Sequence, residues 1–284
     1  MLDKPSDACY FGANGFLYNG AILTKENKVT TQLLDHPLHQ AAPAIDVERF
    51  WRDGYLTAPA IFSPDQLSLL RAESDRVLQL CSERAAQYSR RIEWETDHLA
   101  EEEKRGMEKV IRKLEPVSDL SPIFADFAYH PGIIDPVSAI FGEPVALFED
   151  KLNLKLPGGS PYPWHQDWVC CWRAHTDQLI TCFIYLDDAD ATNGCLQVIP
   201  GSHIDKPCLP FKPGSGFEID PAYVDQSKAV PVPLRAGEMI FFDAYLLHYS
   251  DLNRSQTPRR AIIYTYNPAR LGKVNEHRFP NDSV

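Results

Sequence analysis

A mainly β fold with a helical N-terminal part is what this sequence predicts, on three observations. Helical spacing dominates as far as about residue 141, short extended runs take over after Gly142, and 284 residues at 44% hydrophobic content are enough for one large core. Helices followed by some seven short strands make a β-barrel or sandwich with helices packed on one side. The expected organisation is an N-terminal arm over 1–45 and one domain over 46–284, with helical support at 46–141 and a β-barrel core at 142–270.

Residues 1–45 mix turn residues without a sustained period, and His36 and His39, separated by Pro37, read as surface residues. From Asp46, Val47, Phe50 and Trp51 keep helical spacing until Gly54-Tyr55-Leu56 breaks into an extended piece. Ser63-Pro64-Asp65-Gln66 has the grammar of a helix start: a capping Ser, Pro in the first turn, and Gln three after the cap. Leu67, Leu70, Ser74, Val77 and Leu78 mark the face that follows. Residues 83–115, dense in Glu, Arg and Lys, read as a solvated helix or loop face. A further helix is expected over Pro122–Ile140, interrupted at His130-Pro131-Gly132.

Val145–Phe148 and Leu152–Leu156 then alternate as strands do, closed by Pro157-Gly158-Gly159. Leu179–Leu186 and Cys195–Ile199 follow, the second stopped at Pro200-Gly201-Ser202-His203. Residues 204–228, rich in Pro and Gly, read as a long loop and a candidate lid. Val230–Leu234 and Glu238–Phe242 flank Arg235-Ala236-Gly237 as a hairpin-like pair, and Ala261–Tyr266 is the last strong strand.

A formal charge of −11 and a pI near 5.3 argue against nucleic-acid or anionic-membrane surfaces, both of which need basic patches. The expected partner is a small molecule, and oligomeric state is not legible. Met1-Leu2-Asp3-Lys4-Pro5 lacks a signal-peptide pattern and no window approaches about 18 uninterrupted apolar residues, so a cytoplasmic location is expected. The seven cysteines are scattered, Cys170-Cys171 is not a C-x-x-C pair, and they read as reduced thiols.

The chemistry concentrates in Pro163-Trp164-His165-Gln166-Asp167-Trp168. A His and an Asp two apart on an extended segment point the same way, so an imidazole nitrogen and a carboxylate oxygen can reach one ion. His248, at a strand end, is the candidate third ligand, and Arg259, in the next strand, a candidate anion clamp. Two imidazoles and one carboxylate on one face of an octahedral metal suit non-haem Fe(II) and its oxygen chemistry. The tripeptide alone recurs by chance; the order of strands around it is what carries weight.

From about Asp46 to Pro268 the chain resembles the phytanoyl-CoA dioxygenase family of Fe(II)- and 2-oxoglutarate-dependent oxygenases. The resemblance is carried by Phe50 to Tyr55, the Asn153-Leu154-Lys155 strand, Trp164 to Trp168, Asn193 to Leu196 through His203, Ala236-Gly237-Glu238, and His248 with Arg259. It implies a double-stranded β-helix, a jelly-roll or cupin-like barrel, flanked by α-helices. It also implies an enzyme, a hydroxylase using Fe(II), 2-oxoglutarate and O2. Carried over by position, His165, Asp167 and His248 hold the iron, Arg259 holds the distal carboxylate of 2-oxoglutarate, and Asn153 and Ser250 assist. Gln166, Trp168 and Lys155 fall on the substrate side.

Strand alternation sends Arg259 and Arg260 to opposite faces, and the resemblance, in which the eleven-residue step from His248 matches Arg259 only, rejects Arg260 as the clamp. The resemblance makes His203 a structural corner, and the retained Asp167 favours hydroxylation over halogenation, for which relatives carry a small residue there. Trp164, Trp168 and Trp172 suit an apolar or cationic substrate, and a small amino-acid derivative or secondary metabolite is expected. An acyl-CoA hydroxylase of the phytanoyl-CoA type and a non-catalytic or differently catalytic cupin-like barrel stand as alternatives.

Overall fold

The computed structural model describes residues 44–98, 109–173 and 175–272; residues 1–43 of the expected arm, with His36 and His39, and residues 99–108 of the charged stretch lie outside them. Helix α1 (Val47–Asp53) starts where the Asp46 carboxylate accepts from the Arg49 amide at 2.9 Å. It ends at Gly54, whose φ of +84° suits glycine, and where an added Cβ would run into the His203 ring. Strand β1 (Tyr55–Ala58) follows. Helix α2 (Pro64–Glu83) opens with the full capping box between Ser63 and Gln66. Its buried face runs through Leu70, Ser74, Val77 and Cys81, with Leu67 and Leu78 only at the margin.

The charged region 83–115 departs from expectation. It contains β2 (Ile92–Trp94) and β3 (Ile111–Leu114), which pair with each other, and β3 also pairs with the main sheet. The strand signal was hidden because Arg112 and Lys113 are consumed by ion pairs with Glu93, Glu95 and Glu115 rather than by solvent. The helix expected over 122–140 is two, α3 (Pro122–Phe127) and α4 (Pro131–Phe141), because His130 turns out of the helical path and caps the second by accepting from the Gly132 amide.

The remaining strands are β4 (Val145–Lys155), β5 (Tyr162–His165), β6 (Ile180–Tyr185), β7 (Leu196–Val198), β8 (Val230–Val232), β9 (Met239–Asp243), β10 (His248–Ser250) and β11 (Arg259–Pro268). They fall into an antiparallel seven-stranded sheet, β1-β9-β6-β11-β4-β3-β2, and a four-stranded one, β5-β10-β7-β8. From β4 onward the chain crosses between the sheets at every step but β7 to β8, which is a double-stranded β-helix. The pairing expected across Arg235-Ala236-Gly237 does not form: β8 pairs with β7, whereas β9 lies between β1 and β6. That turn is a corner joining the sheets, with the Gly237 amide donating to the Tyr185 carbonyl.

Phe183, Tyr185, Leu196, Val198, Ile240 and Phe242 fill the space between the two sheets. On the other face of β11, the Tyr264 and Tyr266 hydroxyls donate to the carbonyls of Phe124 and Ala128, fixing α3 to the large sheet. Residues 204–228 are more ordered than a bare loop: Phe211 bridges Ile219, and the Ile219 amide donates to the Trp164 carbonyl at 2.8 Å. Among the described residues no helix is long and apolar enough to cross a membrane.

Candidate metal centre

Strands β5 and β10 run antiparallel with His165 directly opposite His248, which places their ring centroids 4.0 Å apart. Each ring is aimed by its own backbone. The Nδ1–H of His165 donates to the Pro163 carbonyl at 2.7 Å, and that of His248 to the Leu246 carbonyl at 2.9 Å. With the proton assigned to Nδ1 by those acceptors, both Nε2 lone pairs are left for an ion. Burial, and then the neighbouring His248, push the His165 pKa well below its ordinary value, so this ring stays neutral, as a ligand must.

Asp167 reaches the same point by a different route from the expected one. The extended segment ends at His165; Asp167 itself is helical (φ −53°, ψ −45°) and starts a π-helical turn over Trp168–Trp172. The turn, not strand alternation, delivers the carboxylate. Its Oδ1 lies 3.6 Å from Nε2 of His165 and 3.8 Å from Nε2 of His248, and the three ligand atoms fall within 4.8 Å of one another. The turn is held by the Trp168 amide on the Ala244 carbonyl at 3.0 Å and by the Gln166 side-chain amide on the Tyr245 carbonyl at 2.7 Å. Two imidazoles and one carboxylate, all buried and lining one cavity, fit a first-row divalent metal such as Fe(II).

Arg259, at the start of β11, is 1% exposed. Its Nη1 donates to the Gly194 carbonyl, while its Nε has no protein acceptor among the described residues. Two further buried polar atoms of residues lining the cavity also lack a partner, the Asn153 Oδ1 and the Tyr162 hydroxyl. An orphaned guanidinium donor and phenol beside a metal site fit a bound carboxylate, since buried polar groups are otherwise almost always satisfied. Arg260 faces away and makes bonds at 2.9 and 3.0 Å to the Asp187 carboxylate and one of 2.7 Å to Asp75.

The cavity is open to solvent on one side. Asn153, Ser250 and Arg259 line it together with the three ligands, and the Phe217 ring from the 204–228 segment lies 4.4 Å from the His165 ring. Gln166, Trp168 and Lys155 do not line it. The Gln166 amide is spent on the Tyr245 carbonyl and the Leu209 amide, and the Trp168 indole donates to the Thr176 carbonyl while its ring stacks on Tyr245. The Lys155 Nζ bonds the Ser250 hydroxyl at 2.7 Å and the carbonyls of Ser250 and Asp251. Burial and then Arg259 push its pKa down, to about 5.

His203 is buried against Gly54 with its Nε2 on the Trp51 carbonyl, a corner contact rather than a ligand position. Sequence reasoning missed Tyr162, Lys113, Glu115 and Glu149 as wall residues, although Glu149, Lys151 and Asn153 stand at strand spacing two apart.

The sequence pattern described as Phytanoyl-CoA dioxygenase (PhyH) matches residues 50–261. A methylphosphonate hydroxylase of Gimesia maris is 36% identical over 163 residues, 54% of this chain and 60% of that one. A 2-aminoethylphosphonate dioxygenase of an uncultured bacterium is 29% identical over 160 residues, 56% of this chain and 60% of that one. The chain thus spans about three fifths of the length of these curated relatives. The crystal structure of AviO1 from Streptomyces viridochromogenes superposes with a TM-score of 0.63 at 25% identity, covering 80% of this chain and 96% of that one.

Proposed function

The chain belongs to the phytanoyl-CoA dioxygenase family, and from that premise we propose that it is an Fe(II)- and 2-oxoglutarate-dependent dioxygenase hydroxylating an unactivated C–H bond of a small molecule. An amino-acid derivative or secondary metabolite, met in the cytoplasm, is the substrate this reading favours. The observation that carries it is the convergence of the His165-Asp167-His248 triad and the orphaned Arg259 guanidinium on one buried cavity.

When bound, Fe(II) and 2-oxoglutarate together supply the oxidising chemistry, using O2 and releasing succinate and CO2. The chain's own residues do the rest. His165 and His248 present Nε2 because the Pro163 and Leu246 carbonyls hold their Nδ1 protons. Arg259 takes the distal carboxylate of 2-oxoglutarate in its planar fork, with Asn153 assisting from the same sheet and the Ser250 hydroxyl from the facing one. Lys155 ties the strand ends carrying Ser250 and Arg259, and Gln166 and Trp168 brace the turn carrying Asp167. These three serve as positioning residues in place of the substrate contacts expected of them. Residues 204–228 act as a lid that excludes water, with Phe217 over the His165 ring.

The reading is tested anaerobically: protein with Fe(II) and 2-oxoglutarate is expected to show a weak visible charge-transfer band absent from either component alone. Oxygen then yields succinate. Protein that takes up Fe(II) yet shows neither the band nor succinate would be a different kind of barrel.

A further inference from the structure

Lys155 is 2% exposed and lies directly opposite Arg259 in the β4–β11 register. Its Nζ reaches three neutral oxygens at the end of β10: the Ser250 hydroxyl at 2.7 Å and the carbonyls of Ser250 at 3.1 Å and Asp251 at 2.5 Å. The charged and titratable groups around it are Arg259 on β11, Arg112 on β3, Glu95 after β2, Asp251 after β10 and Tyr162 on β5, whose ring is 5.3 Å away. Neither carboxylate bonds the amine. Glu95 accepts from Arg112 and the Ser160 amide, and Asp251 from Arg254, the Tyr249 hydroxyl and the Leu252 amide. Lys155 and Arg259 are thus two buried basic side chains on neighbouring strands, bonded among the described residues to neutral oxygens alone.

A positive charge at Lys155 is costly while no anion accompanies it. Burial, then Arg259 and Arg112, favour the neutral amine, whose pKa is pushed down to about 5. A neutral amine keeps a lone pair, which can accept the proton of the Ser250 hydroxyl. An ammonium has none. Its three N–H bonds match the three oxygens, and the Ser250 hydroxyl, now accepting one of them, must send its own proton elsewhere. Ser250 lines the cavity with Arg259, so that proton turns toward an anion held by Arg259. We propose that Lys155 takes up a proton from solvent when 2-oxoglutarate binds, and that the ammonium positions the Ser250 hydroxyl to donate to the distal carboxylate. The step forms one N–H bond and breaks none within the protein. Lys155 acts through Ser250, as a positioning residue, and the inference rests on the reading of Arg259 as the 2-oxoglutarate clamp.

The number of protons taken up on binding tests it. 2-Oxoglutarate is titrated calorimetrically into Mn(II)-loaded protein at pH 7.5 in phosphate and in Tris, whose ionisation heats differ. Manganese takes the lone pairs of His165 and His248, so the proton counted is not theirs. The parent is expected to gain about one proton, and its Kd to rise about tenfold from pH 6.5 to 7.5, as linkage requires. Lys155→Met and the permanently charged Lys155→Arg are both expected to gain none and to bind equally at the two pH values. Ser250→Ala is expected to bind at least about tenfold more weakly, the loss of one hydrogen bond to a charged group, yet still to take up the proton. Binding by the parent without proton uptake overturns the inference, and that measurement needs no variant to fold. It is overturned equally by uptake that survives in Lys155→Met, or by Ser250→Ala binding as tightly as the parent. Protein that holds Mn(II) but binds no 2-oxoglutarate overturns the clamp reading itself, and this inference with it.

Discussion

Two sets of residues that line the cavity are built on opposite plans. Among the metal ligands, side chains are aimed by backbone: both imidazoles are locked by carbonyls two residues away, and Asp167 is placed by a turn whose amides are tied to residues 244 and 245. Among the charged residues of β3 and β4, side chains are aimed by other side chains, as in the Glu149–Lys151 and Lys113–Glu115 pairs. The difference teaches where rigidity comes from. Local backbone bonds hold a ligand whether or not the ion is there, whereas paired side chains hold their geometry only while both partners are present and can exchange them for a substrate's.

The sharpest way to break this comparison is at the metal. His248→Ala is expected to cut succinate production at least about 100-fold, because even the outer partners of ligands are worth 10–100-fold. Retention of a tenth of the activity would remove the triad from its assigned role. Arg259→Gln is expected to raise the KM for 2-oxoglutarate about 10- to 100-fold, the loss of one charge-assisted pair, with a smaller change in kcat. An unchanged KM would separate the orphaned guanidinium from the cosubstrate.

A third effect is smaller and depends on pH. Asp243, whose carboxylate accepts from the Tyr245 amide beneath the Asp167 turn, is pushed up to about 6 by burial. Its folded pKa is above its unfolded one. Its contribution to stability is therefore complete below about pH 4 and lost as pH rises through about 6. Asp243→Asn is expected to be more stable than the parent at pH 7.5 by on the order of 2 kcal/mol, and by none at pH 4, in denaturant midpoints. Equal differences at the two pH values would show that burial does not hold this carboxyl up. The smallest effect is Arg260→Gln, which is expected to cost about 1 kcal/mol of stability through Asp187 and Asp75 and to leave the KM for 2-oxoglutarate within twofold.

Much of this was readable in the chain itself. The change from helical to extended grammar near Gly142 and the Ser63 capping box were local signals, carried by spacing along one segment, and the ordering of His165, Asp167, His248 and Arg259 was carried by the resemblance over the whole domain. Strand alternation also separated Arg259 from Arg260, since β11 continues unbroken through both and Arg260 bonds Asp75 and Asp187 away from the cavity that Arg259 lines. What the sequence alone determined is therefore the change from helices to strands, the order of the strands after Gly142 and the residue types that converge on the cavity.

Tertiary structure decided the rest, for reasons that spacing cannot express. Strands β2 and β3 were masked because their charges are neutralised by partners distant in sequence, so polarity there does not mean solvent. Asp167 reaches the metal end by a π-helical turn held from residues 244 and 245, a contact that no pattern within 163–168 announces. Arg235-Ala236-Gly237 joins two sheets instead of two paired strands, because pairing partners are chosen by where the whole barrel closes. The charged lining of the cavity exists only once β3 lies beside β4, since Lys113 and Glu115 come to face the cavity with Glu149 and Lys151 through a pairing distant in sequence.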